Sequence, residues 1–533
     1  RCAMSIRDLL KDGTRHFSGT EEATLRNIEA CTELSKILRS SFGPNGMNKM
    51  VINHLEKLYV TNDAATIMRE LDVVHPAAKM MTMAAKQMEN EVGDNTNFVV
   101  VFAGELLHHA ESLIMTGLHV SDIIAGYQKA GDKALSLLSD LVVDTVKDIR
   151  DTEEVCKALR SAIAAKQYGR EDLLAPLVAK ACISILPENP LAFSVDSVRV
   201  CKVMGGGVDD TKVFKGFALP KDSAGTVKHV KNAKVLVLAS GLEASQTETS
   251  STVLMTSADE LMGFTKGEEE QMHDYVKEIV AGGANVVVAG GTVSEIAMHY
   301  CEKYGIMVVK EPSKFQLRRV CRATGAVARV HLGKITPEEV GSCDSVSVEE
   351  VGSNKVTFFY NDSDRCFIST ILCRGSTPNV LDDIERCIDD AVNVFKSIIR
   401  NNKLLAGAGA CEMELARRLA SFGAETPGLD QYAIKKFGEA LEIFPRTLAE
   451  NAGVSSIELI TELYAAHDQQ PNAGVNVEEG CIGDAVALKV YDMYIGKWWA
   501  IQLAVEAALN ILRVDQIIMS KPAGGPQVPK MGP

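Results

Sequence analysis

What the 533-residue chain lacks does much of the sorting. Its thirteen cysteines run from Cys2 to Cys481 without one C-x-x-C pair, so zinc-ribbon and thioredoxin-like chemistry has no support. Scattered and odd in number, they read as reduced, mostly buried thiols. Basic excess is missing as well. Lys and Arg total 56 against 70 Asp and Glu, a net charge of −14 spread along the chain. Proteins that grip a phosphate backbone show a basic face, so no nucleic-acid partner is expected. Apolar runs such as "FVVVFAGELL" fall short of the ~20 residues a membrane span needs. No signal peptide is visible in "RCAMSIRDLL". The expectation is a soluble cytoplasmic protein with no membrane partner. G-x-x-x-x-G-K-[ST] is absent, which removes a P-loop, and "AGGTVSEIA" lacks G-x-G-x-x-G and reads as a helix start.

What remains is ordinary globular usage, 46% hydrophobic and 24% charged. The length suits roughly three domains of about 150 residues. To about residue 150 the pattern is helical. "EEATLRNIEACTELSKILRSSF" sets Leu25, Ile28, Cys31, Leu34, Ile37 and Leu38 at helical spacing and stops at the turn "GPNG". "KMVINHLEKLYVTND" predicts a short hairpin, and helices resume at "HPAAKMMTMAAKQMENEV". The centre alternates β-branched runs ("AKVLVLASG", "ANVVVAGG", "GIMVVKE") with helical ones, an α/β pattern. From about 380 the chain is helical again. There Leu381, Ile384, Ile388, Ala391 and Phe395 form a buried stripe that leaves Asp389 and Asp390 toward its flank. The fold class is therefore mixed α and α/β, one domain inserted into another that holds both chain ends. "MSKPAGGPQVPKMGP" is expected to be a disordered tail, and no internal repeat is present.

Five polar or Gly-rich islands interrupt these elements: "SFGPNGMNK", "VTNDAATI", "VGDNTNF", "CIDDAV" and "LLAGAGACEMEL". Singly, each has a structural reading: a turn, a helix N-cap at Asn62-Asp63, a loop before a helix. Glycine loops feeding helix N-termini also present free N–H groups and a positive dipole end, which suits phosphate. Asp63, Asp94 and Asp390 are of the type that holds Mg²⁺ and orients a water in phosphoryl transfer. His108-His109 is a weak metal pattern, and "MGGGVDD" reads as a hinge.

Together and in this order, the islands resemble the group II chaperonins over essentially the whole chain. That family's pattern has Gly-Pro-x-Gly, Thr-Asn-Asp-Gly-Ala-Thr, Gly-Asp-Gly-Thr-Thr, a helix ending in Asp-Ala, and Gly-Gly-Gly-Ala followed by acids. Here stand Gly43-Pro44-Asn45-Gly46, Thr61 to Thr66, Gly93 to Asn97, Asp390-Ala391 and Gly407 to Ala410. "LAENAG" and "ILRVDQII" look like the family too.

The resemblance implies a chaperonin fold: a mainly helical equatorial ATPase domain (1–148 and 403–533), an intermediate hinge domain (149–216 and 370–402) and an inserted α/β apical domain (217–369). It implies ATP or ADP with Mg²⁺ as cofactors. Phe42, Gly43 and Pro44 then line the nucleotide, Asp94 is the Mg²⁺ ligand, and Asn95, Thr96, Asn97 and Phe98 surround the phosphates. Asp63 and Asp390 position or activate the attacking water, a role that selects Asp390 over Asp389. Lys166 lies on the γ-phosphate side, Gly407 and Gly409 form the base-and-ribose loop, and Asp492 with Lys497 are C-terminal nucleotide contacts. Asp390 belongs to a different domain from Asp94, so hydrolysis is coupled to closure. The helix at 313–325 and the loop near 210–220 contact substrate, and a lid protrusion lies near 243–265. The implied partners are paralogous subunits in a hetero-oligomeric double ring and unfolded client proteins, actin and tubulin for eukaryotic members.

The chain departs from the family pattern at Asn45, Ala64, Asn95, Asn97 and Ala408. Asn tolerates positive φ, so Asn95 preserves the loop, whereas Asn97 loses a hydroxyl. The expected activity is ATP-driven protein folding, with slower hydrolysis or release than in a family-typical subunit. A nucleotide-binding ring subunit with little turnover is the alternative, and a monomeric metabolic kinase the third reading.

Overall fold

The computed structural model describes residues 15–17, 20–243, 257–363 and 366–519. These divide into two compact units. A terminal unit takes Arg1–Lys147, Ala164–Tyr168 and Asn401–Pro533, and a central unit takes Asp148–Ile163 and Gly169–Arg400. The Pro/Gly-rich tail and most of the expected lid protrusion, residues 244–256, lie outside the described residues.

The terminal unit is built around the helix Thr96–Met115. Phe98, Val99, Val100, Val101, Phe102 and Ala103 are all buried, so the helix is apolar all round and packed on every side. It has 20 residues, longer than the apolar run suggested, and by length and composition would pass for a membrane span. Its burial in this core accounts for the composition. The helices Thr20–Arg39, Pro76–Glu91, Asp430–Leu441 and Tyr494–Leu512 share that core. Gly104 is needed for one approach, because a Cβ there would lie 2.3 Å from the Ser35 Cβ. Phe444 stacks on Phe98 with centroids 3.9 Å apart and planes 5° from parallel, and Phe102 meets Phe437 edge-on. Tyr127 joins the cluster because its hydroxyl donates to the Leu106 carbonyl at 2.9 Å.

Short sheets flank this core. Lys403–Ala406 lies between Tyr491–Met493 and Val142–Thr145, antiparallel to both. The predicted hairpin pairs Lys49–Ile52 with Leu58–Thr61, and another pairs Ala473–Asn476 with Cys481–Asp484. Periodicity put Ile37 on the buried stripe of Thr20–Arg39, but it is 48% exposed and Leu25 only half-buried. The stripe is narrower than the spacing suggested.

In the central unit, a nine-stranded mixed sheet runs Val198–Met204, Ser369–Gly375, Lys212–Leu219, Asn354–Tyr360, Gly341–Val351, His229–Leu238, Val286–Ala289, Met307–Lys310, with Ala328–Arg329 also pairing on His229–Leu238. The last three strands of that path are parallel. Val286–Ala289 is buried on both faces, as a continuous valine run in a parallel sheet should be. The helix Pro378–Arg400 buries Leu381, Ile384, Ile388, Ala391 and Phe395, the stripe read from sequence.

Phe444→Ala should lower unfolding free energy by about 3–5 kcal/mol. Ile457→Ala, at a side chain 78% exposed, should change it by no more than about 0.5 kcal/mol. Denaturant titration of both variants checks this, and equal losses would remove Phe444 from the core.

Candidate functional site

The helix Pro76–Glu91 ends at Val92, and the chain turns through Gly93 (φ 79°) and Asn95 (φ 61°, ψ 19°) before Thr96–Met115 begins. Asn95 is the N-cap of that helix in a left-handed conformation, and no side chain caps its first turn. Asp94 accepts the Asn95 N–H at 2.6 Å. Its carboxyl is pushed above the usual range, chiefly by burial, against the pull of Lys166 and the Asn95 N–H. The charges of Asp492 and Asp63 add to the rise, which places both acids in its field.

Asp63 does cap a helix, Ala64–Glu70: its Oδ2 accepts from Thr66 N at 3.0 Å and from Thr66 Oγ1 at 2.6 Å. Oδ1 accepts from Lys166 Nζ at 2.9 Å, with both side chains largely buried. Burial alone would raise this carboxyl, but the Lys166 charge and the hydrogen bonds from Thr66 and Lys166 outweigh it and hold it at about 2. The group stays ionised and is a weak base.

A second uncapped helix start follows "AGAG". Ala408 (φ 56°) and Gly409 (φ 80°) are both left-handed, and Gly409 is the N-cap of Ala410–Glu425 without a side-chain bond. At Gly407 a Cβ would come within 2.9 Å of Val490 Cγ1. The Phe42-Gly43-Pro44 turn is tied to the same region. Asn451 Nδ2 donates to the Phe42 carbonyl at 2.8 Å, and a Cβ on Gly43 (φ 83°) would strike Leu448. Asn97 Nδ2 donates to the Leu38 carbonyl at 3.3 Å, while its Oδ1 is buried without a partner.

Beneath these loops lies a buried charge. Lys497 is 5% exposed; it donates to Glu412 and sits 3.1 Å from Asp492. Its ammonium lies 4.4 Å from the Phe98 ring centroid. Burial opposes its charge, but Asp492 and Glu412 reverse that and raise its pKa. Phe98 itself is buried and stacked on Phe444, so its ring belongs to the core and only its main chain is at the helix start. Glu412 and Phe444 were not singled out by sequence, and Thr66 entered only as the end of the Thr61 to Thr66 island. Only the acid after "AGAGAC" hinted at the first.

The terminal unit holds Phe42, Gly43, Pro44, Asp63, Asp94, Asn95, Thr96, Asn97, Phe98, Lys166, Gly407, Gly409, Asp492 and Lys497. Asp390 lies on Pro378–Arg400 in the central unit, half-buried beside the exposed Asp389. His108 and His109 face Glu111 and Glu105 at 3.8 and 3.6 Å. Among the described residues, no group of three or more His, Cys, Asp or Glu could hold a metal ion.

Two outcomes follow for this geometry. Ala408→Gly should raise stability by about 1 kcal/mol by relieving left-handed strain, read as a higher denaturation midpoint; a lower one would refute the strain. Asp63, with its folded pKa below the unfolded one, contributes about 2 kcal/mol that is complete above the ordinary carboxylate range and lost as pH falls toward about 2. Lys166→Met should move the onset of acid unfolding to higher pH. An unmoved onset would separate Lys166 from Asp63.

The chain matches the TCP-1/cpn60 chaperonin family over residues 34–522. It is 52% identical over 531 residues to T-complex protein 1 subunit theta of Dictyostelium discoideum, covering 99% of each chain. The human protein of that name is 52% identical over 530 residues, 99% of this chain and 96% of the relative. The Arabidopsis thaliana one is 48% identical over 525 residues, 98% and 96%.

Proposed function

The chain belongs to the TCP-1/cpn60 chaperonin family and is a chaperonin subunit involved in protein folding; on that premise we propose that it binds and hydrolyses ATP to drive a folding cycle. The observation that carries the reading is Asp94 at the mouth of an uncapped, left-handed helix start, with Asp63 and Lys166 in its field. Free N–H groups at such a start suit phosphate oxygens. Thr96 and Asn97 offer further polar groups there, and the Gly407-Ala408-Gly409 turn presents a second uncapped start toward the rest of the nucleotide.

The donor set fits Mg²⁺ carried in with nucleotide. Among the described residues, Asp63 pairs with Lys166, Asp492 and Glu412 pair with Lys497, and Asp94 lies in the field of Lys166, so four carboxylates stand against these two cations. Mg²⁺ is commonly bound by one or two carboxylates plus substrate phosphates rather than by an all-protein cage, and it neutralises charge that develops on the transferred group. Asp94 would hold it. Asp63, a weak base fixed by Thr66 and Lys166, orients a water rather than taking its proton. Lys166 exchanges its contact with Asp63 for phosphate charge. Asp390 is proposed as the water-activating acid.

We propose three domains, equatorial (1–148 and 403–533), intermediate (149–216 and 370–402) and apical (217–369), with the helix Lys314–Thr324 of the last as the client contact. With relatives named T-complex protein 1 subunit theta, the proposed setting is a cytosolic hetero-oligomeric double ring of paralogous subunits acting on unfolded clients such as actin and tubulin.

The weak basicity of Asp63 and the unpartnered Asn97 Oδ1 favour one alternative, a subunit that binds nucleotide and turns over little. Two variants in assembled rings decide. Asp94→Ala should lower azido-ATP cross-linking to this chain by about tenfold or more, the loss of a charged ligand; unchanged cross-linking would sink the ATP site. Asp390→Ala should leave cross-linking intact and abolish this chain's single-turnover hydrolysis. Unchanged hydrolysis and client folding would favour the alternative.

A further inference from the structure

We propose that Glu412 is a positioning residue of the nucleotide site, setting the direction and free lone pairs of Asp492 through the buried Lys497. The proposal rests on reading the terminal unit as an ATP site and extends it to a residue that is 2% exposed.

Lys497 is enclosed. The Phe98 ring lies 4.4 Å from its ammonium and that of Phe444 6.0 Å; Glu412 accepts a hydrogen bond from it, and Asp492 Oδ2 pairs with it at 3.1 Å. At 5% exposure it cannot reach a ligand itself. Asp492 is the open end of the relay, its side chain 31% exposed. Strand register sets it opposite Leu405, two residues before the Gly407 turn, and its charge is felt at Asp94. Glu412 is the closed end, 2% exposed and with Oε2 buried and unpartnered.

Stability does not explain such a pair. Well-packed apolar side chains often replace a buried ion pair at no loss, while removing one partner strands the other. What the pair does is divide the Lys497 protons. With Glu412 taking one, Asp492 gives Lys497 a single contact and keeps its other oxygen for the site. Without Glu412, Lys497 donates wholly to Asp492 and turns it inward. Lys497 serves here as the link, and Asp492 as the group that meets nucleotide.

Azido-ATP cross-linking to this chain in assembled rings tests the relay. Glu412→Gln should weaken apparent affinity about tenfold, of the order of one charge-assisted hydrogen bond. Glu412→Met with Lys497→Met, which removes both charges, should assemble and still label weakly. In an Asp492→Asn background, Glu412→Gln should add no further loss, since both act on one contact. Labelling at the parent level in either Glu412 variant overturns the proposal, and so do additive losses, which would mean a general structural effect. If Asp492→Asn alone labels like the parent, Asp492 is not a nucleotide contact, and that part of the ATP-site reading fails by itself.

Discussion

A protonated amine inside an apolar core costs several kcal/mol unless charge and ring faces surround it. Lys497 meets that condition from two sides, with the stacked Phe98 and Phe444 on one and Glu412 and Asp492 on the other. Much of the terminal unit depends on this arrangement. Phe98 lies in the first turn of the helix that forms the centre of the core, and Asp492 is the middle residue of the strand Tyr491–Met493, which pairs with the strand leading to the Gly407 turn. The same cation therefore fixes the start of Thr96–Met115 against the loop before Ala410–Glu425. Core packing and site geometry are one set of contacts here.

The site's other feature is what it leaves undone. A helix start normally has a Ser, Thr, Asp or Asn side chain on its free N–H groups. Asp63 does this for Ala64–Glu70, yet Thr96–Met115 and Ala410–Glu425 both begin at a left-handed residue with no side-chain bond. Asn95 is of a capping type and still does not cap, because its φ of 61° turns the side chain toward Gly496. A Cβ on Gly496 would lie 2.9 Å from Asn95 Nδ2, so that glycine makes room for the amide. Both starts thereby leave a helix dipole and N–H groups of the kind that suits an anion.

Much of this was legible in the residues. Alternating helical and β-branched patterns gave the helical ends and the α/β centre, and the Asp63 cap and the tolerance of Asn95 for positive φ follow from residue type. The pattern reads as one domain inserted into another, and the described residues divide into two compact units. What escaped has physical reasons. Glu412 and Lys497 stand 85 positions apart, a pairing that no local period reveals. Phe98 reads as part of a polar island, but as the third residue of the helix its ring stacks on Phe444 in the core. Ile37 fits helical spacing and is 48% exposed, since the neighbouring helix covers a narrower arc. Thr96–Met115 carries Glu105 inside the apolar run 98–107 and His108, His109 and Glu111 beyond it, and these polar side chains pair with one another along the helix.

Strain in the loops is held by neighbours that leave no alternative. The Ala408 carbonyl accepts the Val475 N–H at 2.9 Å, and a Cβ on Gly474 would lie 3.0 Å from the Ala408 Cβ. Ala408 thus keeps a left-handed conformation that an alanine adopts at a cost of about 1 kcal/mol or more. Relaxing it would break the hairpin contact and swing Gly409, and with it the open start of Ala410–Glu425. The cost is small beside the packing that enforces it, and it fixes the open start of Ala410–Glu425 in advance. Groups fixed by packing need no further ordering, which is how preorganisation raises affinity where a ligand is bound.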